Sequence, residues 1–264
     1  MGDWDSQTGT GIRFEWGPTG AGRLAAEAAC LVTVDVLSFS TTVSVAVEKG
    51  IRVLPFGWSG ESATEAEQTG ATEAAQAYAR QWDARLATHR TTVTPSTPWS
   101  LSPAPLRAAP FVARLVLPSP NGATIAAVAP PGVPVVAACL RNVTAVSSWL
   151  TSHGYGTPEH PVAVIAAGER WPDGSLRPAL EDLLGAGSLI CDLHSQGSGP
   201  LSVEAAAAKA AYEGTADIVH AVATSASGRR LAAMGFVADV AIATEDDVCA
   251  LVPVRDGEGA FAPG

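Results

Sequence analysis

Short apolar runs alternate with polar, helix-forming stretches along most of the chain. The apolar runs are rich in Val, Ile and Leu and mostly lack strict alternation, which is typical of strands buried on both faces of a parallel sheet. We predict five such strands, at residues 30–37, 51–56, 114–119, 133–139 and 161–168.

The stretches between these runs predict helices, because most of them begin at Ser or Asn and three of them end at Gly or Arg. The predicted helices are residues 40–50, 59–85, 121–129, 142–153, 180–193, 203–223 and 227–235. Alternating strands and helices favour an α/β fold with three layers, α/β/α, around a mostly parallel or mixed sheet. Since no linker is evident, we predict one domain over residues 1–264.

Two segments interrupt this alternation. Residues 89–113 contain five prolines and predict a long surface loop, a type of segment that often carries function. Arg90 opens this loop and is a candidate contact for an anionic substrate. GPTGAG at 17–22 has the wrong order for a dinucleotide-binding GxGxxG motif, and it predicts a turn.

Charge and composition exclude several classes of protein. The formal net charge of −10 counts against nucleic-acid binding, which needs a basic surface. No apolar run reaches the roughly 20 residues of a membrane helix, and the first residues lack the basic-then-apolar pattern of a secretion signal. We therefore expect a soluble, cytoplasmic protein without a membrane or nucleic-acid partner. The four widely spaced cysteines predict buried free thiols rather than disulfides.

The segment VDVLSFSTT (34–42) carries the most chemical information. Asp35 lies near the carboxyl end of an apolar strand, where ligands bind in open α/β sheets. A buried carboxylate there is costly unless it is paired, hydrogen-bonded or bound to a metal. A backbone cap is the alternative role for Asp35.

Small polar residues follow three of the predicted strands. Free backbone N–H groups and hydroxyls at a helix start form an anion site, although the same residues also serve as plain helix caps. If the three junctions converge on one crevice, they form a candidate substrate site. Its members are Ser38, Ser40, Thr41, Thr42, Asn121, Gly122 and Asn142.

Acidic residues recur farther along the chain, at Glu169 after the last predicted strand and at Glu181 and Asp182 at a helix start. The helix macrodipole alone favours acidic residues in a first turn. Alternatively, they are ligands of Mg²⁺, which prefers oxygen donors and takes one or two carboxylates plus substrate phosphate. No HxxxH or HExxH motif points to zinc.

Several of these segments, in order, resemble the 2-phosphosulfolactate phosphatase family. The similar segments are VDVLSFSTTVSVAVEKG, LPSPNGATIA, CLRNVTAVSSWL, VAVIAAG with LEDLLGAGSLI, and GRRLAAMGFVADVAIATEDDVCALVPVRDG. Together they span roughly residues 30 to 256. Where the family commonly has Arg after Asp-Val-Leu, this chain has Ser38. The Gly-Glu-Arg-Gly and Gly-Asn-Ser-Pro patterns of the family are missing near residues 86–106.

The resemblance implies a Mg²⁺-dependent phosphomonoesterase that acts on 2-phosphosulfolactate or a similar small phosphorylated acid. Our hypothesis is that Asp35 and Glu181 or Asp182 hold Mg²⁺, while the small polar residues and Glu169 bind the substrate. Arg141 is the first candidate for stabilising the developing charge, and Arg90 and Arg170 are alternatives.

Two questions stay open at this stage. Asp35 acts either as a metal ligand that helps to orient water or as a covalent nucleophile. The departures at Ser38 and in the loop also allow a catalytically altered member that only binds anions or partners. For assembly we consider a homodimer, which no sequence feature tests.

Overall fold

A nine-stranded mixed sheet runs through the structure, a computed structural model that describes residues 5–57 and 65–264. A separate two-stranded hairpin, β8–β9, lies outside this sheet. The strands are β1 (Ile12–Trp16), β2 (Cys30–Val34), β3 (Arg52–Gly57), β4 (Arg85–Leu86), β5 (Arg114–Ser119), β6 (Val135–Ala138), β7 (Val162–Ala166), β8 (Glu169–Arg170), β9 (Leu176–Arg177), β10 (Pro253–Arg255) and β11 (Phe261–Pro263).

The strand order divides the sheet into two parallel sets. One set is β1-β7-β2-β6, and the other is β3-β5-β4. The antiparallel hairpin β10–β11 lies between them and pairs with β6 on one side and β3 on the other. The sheet is therefore mixed, as the sequence pattern allowed.

Helices cover both faces of the sheet. They are α1 (Gly17–Leu24), α2 (Phe39–Glu48), α3 (Glu65–Gln81), α4 (Pro103–Ala108), α5 (Gly122–Val128), α6 (Val143–Ser152), α7 (Leu180–Ser195), α8 (Val203–Glu213), α9 (Ile218–Thr224), α10 (Ala226–Ala233) and α11 (Val237–Ala243). Two short 3₁₀ turns lie at Arg90–Thr92 and Leu140–Asn142.

Alternate residues of the central strands enter two different cores. On β2, Leu31 packs with α1, α2 and α5 on one face, and Val32 packs with α6, α7 and α8 on the other. Every residue of β2, β6 and β7 is buried, which explains their continuous apolar sequence. These observations confirm the predicted three-layer α/β fold.

All five predicted strands are present, with ends that differ by a few residues. The predicted helix over 59–85 is confirmed from Glu65 to Gln81; its residues 59–64 lie outside the described residues. The helix ends earlier than predicted, because the chain turns at Asp83, which has a positive φ of 46°, and then enters β4. Three of the cysteines are buried free thiols as predicted, and Cys191 is half-buried.

Three predictions on local structure are wrong. Residues 17–22 form most of α1 rather than a turn, because Pro18 lies in the first turn of the helix, where no backbone N–H is needed. The segment 89–113 is not only a surface loop: it contains α4, which places Leu106 in the core. The predicted helix 203–223 is two helices, since α8 ends at Glu213 with Gly214 as its C-cap, and Asp217 caps α9.

Gly187 in α7 marks the closest approach between α7 and α8. A Cβ at this position would lie 2.3 Å from the carbonyl oxygen of Ala208 and 2.9 Å from the Cβ of Tyr212. Gly70 in α3 is a helical glycine without such a close contact, because a Cβ there would meet nothing within 4 Å. It serves as the control position.

We expect Gly187→Ala to lower the free energy of unfolding by about 1–3 kcal/mol through overpacking. Gly70→Ala should raise it by up to about 1 kcal/mol through helix propensity alone. Urea denaturation of the two variants measures the difference. Equal effects would contradict the packing described for α7 and α8.

Candidate active site

Asp35 lies directly after β2, at the carboxyl end of a fully buried strand. One of its carboxylate oxygens accepts a hydrogen bond from the backbone N–H of Phe39 at 3.0 Å, and the other accepts from Gly122 N–H at 3.0 Å. The side chain therefore ties the start of α2 to the start of α5. The capping alternative and the site alternative for Asp35 both agree with this placement.

The approach of α5 to Asp35 requires glycine at position 122. A Cβ on Gly122 would lie 2.4 Å from a ring carbon of Phe39 and 2.9 Å from the Asp35 carboxylate. The N–H of residue 122 reaches the carboxylate because no side chain separates them. Gly122 was predicted to contact an anion through its backbone N–H. In the structure that N–H donates to the carboxylate of Asp35.

Asp182 holds the end of β2 against the end of β7. Its carboxylate accepts hydrogen bonds from the backbone N–H groups of Val36 at 2.8 Å and Gly168 at 2.9 Å. The residue lies in the first turn of α7, where the helix macrodipole favours negative charge. Asp35 and Asp182 are therefore both fixed by backbone donors around the same strand end.

Glu181 precedes Asp182 and has an unpaired carboxylate oxygen. The residue is 2% exposed, and its Oε2 has no hydrogen-bond partner within the described part of the chain. Buried polar atoms are normally satisfied, and each exception needs an explanation. A cation or a substrate group at this oxygen would provide one.

Glu169, at the start of β8, joins these residues electrostatically. Burial, with added repulsion from Asp35 and Glu181, raises the pKa of Glu169 to about 7, although Arg177 and Arg230 oppose the rise. Glu169 is half-buried, whereas the other three carboxylates are buried. Solvent therefore reaches the cluster from the side of Glu169.

The two aspartates show the same effect. Burial raises the pKa of Asp35 to about 6; its backbone hydrogen bonds oppose this rise and the charge of Glu181 adds to it. Burial, followed by the charges of Asp35 and Glu181, also raises the pKa of Asp182 well above its ordinary value. We call Asp35, Glu169, Glu181 and Asp182 the carboxylate cluster. Its net negative charge favours a bound cation.

The donor set of the cluster fits Mg²⁺, which binds oxygen ligands and usually completes its coordination with water and substrate phosphate. The unpaired Oε2 of Glu181 is the observation that supports this fit. Among residues 5–57 and 65–264, no three acidic, His or Cys side chains are placed to hold a metal ion on their own. The cluster therefore fits a metal site with one or two protein ligands, and not a closed all-protein site.

Arg90 is an arginine that reaches the cluster from the Asp35 side. Its side chain is 11% exposed, and its Nη2 donates to the hydroxyl of Ser38 at 3.3 Å. Burial lowers the pKa of Arg90, and the negative charge of Asp239 raises it. Glu169 and Asp35 act in the same direction as Asp239, which places the guanidinium within electrostatic reach of the cluster.

The hydroxyl-rich helix start lies beside the cluster, but most of its hydroxyls face inward. Ser40 accepts from Asp35 N–H and donates to the carbonyl of Thr33. Thr41 donates to the carbonyl of Val36, and Thr42 donates to that of Leu101. All three are fully buried, so their hydroxyls stabilise the junction of β2 and α2. Their predicted substrate contacts have no support in this arrangement.

Both asparagines open a helix after a strand, as predicted, but their side chains have different surroundings. Asn142 is fully buried, and its side-chain amide binds the backbone at both ends. The amide oxygen accepts a hydrogen bond from the N–H of Cys139, and the amide nitrogen donates one to the carbonyl of Ala137. Asn121 lies half-buried before α5, and its side chain makes no cap hydrogen bond. Asn142 is thus a structural residue, while Asn121 adjoins the site through Gly122.

Arg141 lies in an ion-pair network away from the carboxylate cluster. It is 2% exposed and pairs with Glu48 and, at 3.0 Å, with Glu245, while its remaining nitrogen donates to Ser44 at 2.7 Å. Because all of these partners lie outside the carboxylate cluster, the structure does not bring Arg141 to the candidate site. Arg170 is exposed on β8 and donates to the carbonyl of Gly174.

Three charged residues near the site were not among our candidates. Asp239 pairs with Arg90 at 3.4 Å, and the positive charges of Arg177 and Arg230 act on Glu169. Arg230 belongs to the Gly-Arg-Arg segment of the sequence resemblance, which was the available signal. The sequence signal for Asp239 is weaker: it is a lone acidic residue among the apolar residues of α11.

Comparison with known proteins decides the family. A family model described as 2-phosphosulpholactate phosphatase matches residues 21–258 of the chain. The chain belongs to this family. A search of curated proteins found no match. The family carries the name of a phosphatase, an enzyme that hydrolyses phosphoric monoesters, and its match covers all four members of the carboxylate cluster.

Within the described ranges, no helix has both the length and the apolar character needed to cross a membrane. The cytoplasmic location, the homodimer and the lack of a nucleic-acid partner stay predictions.

The raised pKa of Glu169 predicts a pH dependence of stability in metal-free protein. Between its ordinary pKa of 4.5 and about 7, the folded state retains a proton that the unfolded state has lost. The contribution of Glu169 to the free energy of unfolding is therefore full below about pH 4.5 and falls as the pH rises through about 7. Since Glu169→Gln removes the titration, the stability of wild type relative to this variant should fall over that window.

Urea denaturation in EDTA at several pH values measures this difference. Glu204→Gln, at an exposed glutamate of α8, is the matched control and should show no such trend. A constant difference between wild type and Glu169→Gln would contradict the electrostatic account of the cluster.

Proposed function

We propose that this family member is a Mg²⁺-dependent phosphatase of a small phosphorylated acid, with 2-phosphosulfolactate as the first candidate substrate. The observation that carries the proposal is the carboxylate cluster with the unpaired oxygen of Glu181, in a chain whose family is named for a phosphatase. Such a cluster is costly for a protein that only needs to fold, because like charges are buried together.

Asp35, together with Glu181 or Asp182, would hold the metal. Backbone N–H groups orient the carboxylates of Asp35 and Asp182 before any ligand arrives, so little reorganisation is needed on binding. Bound Mg²⁺ would supply charge neutralisation at the phosphate oxygens and a site for ordered water.

Arg90 takes the role that we first assigned to Arg141. A guanidinium presents paired N–H donors that match phosphate geometry, and Arg90 is directed at the site by its contact with Ser38. Negative charge that develops on the phosphate oxygens during hydrolysis would be stabilised by this group.

Glu169 has properties suited to proton transfer. In the metal-free protein its pKa of about 7 lies near neutral pH, where a general acid or base works best, and it is the most exposed member of the cluster. In this proposal Glu169 accepts a proton from the attacking water or donates one to the leaving oxygen. Asp35 as a covalent nucleophile is the competing mechanism, and trapping a phospho-aspartate with a fluoride analogue separates the two.

Phosphate release from p-nitrophenyl phosphate and from 2-phosphosulfolactate tests the proposal. We expect activity with MgCl₂ and none with EDTA. Asp35→Asn and Glu181→Gln should each lower kcat/KM by about 100-fold or more, since each removes a group that acts on the transition state. Glu204→Gln should keep full activity.

A second readout does not depend on turnover. Mg²⁺ should raise the Tm of the wild type, because a ligand that binds only the folded state stabilises it, and the rise should be lost in Glu181→Gln. Full activity of Asp35→Asn with added Mg²⁺ would sink the proposal. Inactivity of the wild type across a panel of phosphate esters would favour a member that binds anions without hydrolysis.

A further inference from the structure

Asp239 is a buried carboxylate outside the cluster that connects three parts of the chain. It lies on α11 and is 1% exposed. Its oxygens accept hydrogen bonds from the backbone N–H of Ala104 at 3.0 Å and from the hydroxyl of Ser102. Both donors belong to the start of α4, so Asp239 is held rigidly before it meets any cation.

The cation that Asp239 meets is Arg90. The guanidinium of Arg90 lies 3.4 Å from Asp239 and over the ring of Phe236, 5.4 Å from the ring centroid. An arginine clamped by a carboxylate and an aromatic face has few accessible rotamers. Two elements, the 3₁₀ turn at Arg90–Thr92 and the helix α11, thus determine where the positive charge lies.

The other end of the guanidinium contacts Ser38. Ser38 is 3% exposed and follows the loop that carries Asp35. The side chain of Ser38 is small, which leaves room for the guanidinium of Arg90 to approach from another segment. A positive charge therefore acts on Asp35, and the residue that supplies it comes from a different part of the sequence.

We propose that Arg90 binds the phosphate group of the substrate, and that Asp239 is the positioning residue that holds Arg90 at the site. The catalytic meaning of this inference rests on the proposed phosphatase function, but the anion-binding role does not. If phosphate binding depends on the positive charge and not on the segment that carries it, Ser38→Arg should restore phosphate binding to the Arg90→Ala variant.

Isothermal titration calorimetry with inorganic phosphate, in the presence of MgCl₂, tests the inference. Arg90→Ala should raise the Kd for phosphate about tenfold or more, the factor expected for one lost charge-assisted hydrogen bond. The double variant Ser38→Arg with Arg90→Ala should return the Kd to within about threefold of wild type. Arg80→Ala, at an exposed arginine of α3, is the matched control and should bind like wild type.

Asp239→Asn separates positioning from plain structural support. Asparagine retains an acceptor for Ala104 N–H but loses the charge that holds Arg90, so the Kd should rise about three- to tenfold. Ser102→Ala removes another partner of the same carboxylate without touching Arg90. It should lower the Tm and leave the Kd within twofold of wild type.

Two results would overturn the inference: a wild-type Kd in Arg90→Ala, or no recovery when arginine is added at position 38. Circular dichroism checks that each variant is folded, and Ser38→Lys replaces Ser38→Arg if the larger side chain prevents folding. An Asp239→Asn variant with a changed Tm and an unchanged Kd would refute the positioning role.

The outcomes also separate this inference from the phosphatase proposal. A wild type that binds phosphate through Arg90 but hydrolyses no ester would sink the proposed activity and keep the inference. If the Arg90→Ala variant hydrolyses esters as well as the wild type does, the phosphatase proposal stands and the inference about Arg90 fails.

Discussion

Repulsion among four acidic side chains is the constraint around which this structure is arranged. Asp35, Glu169, Glu181 and Asp182 are gathered where water is largely excluded. Burial, with added repulsion between their charges, raises the pKa of three of them. A protein tolerates such an arrangement only if other groups stabilise the charges. Most of the architecture near the end of β2 supplies these groups.

The stabilising groups come from several segments of the chain. Four backbone N–H groups, at Val36, Phe39, Gly122 and Gly168, donate to the two aspartates. The N-terminus of α7 adds the positive end of its macrodipole. Arginines contribute from outside, and a divalent cation would complete the balance. The fold and the proposed chemistry therefore depend on the same charges.

The sequence predicts the layers of the fold well, because β2, β6 and β7 are buried on both faces and leave continuous apolar runs. Shorter elements were missed for a physical reason. Strands such as β10 and β11 have three residues each, and their place is set by pairing with distant strands and not by a local pattern. The Pro-rich segment was misjudged because Pro103 begins a helix instead of preventing one.

The acidic members of the site were predictable, since a carboxylate that ends an apolar strand or opens a buried helix has few structural reasons to be there. Side-chain direction was not predictable. Thr41, Asn142 and Arg141 have the right chemistry at the right junctions, but they bind the backbone or other charged residues. Only the fold shows which arginines reach the carboxylates.

The hairpin β10–β11 has a consequence for how the molecule is made. It lies between the two parallel sets, so the sheet becomes continuous only when residues 253–263 are inserted between β6 and β3. During synthesis on the ribosome, both halves emerge well before the piece that joins them. Pairings between such distant residues form slowly, and the open edges of β6 and β3 stay exposed until the hairpin arrives.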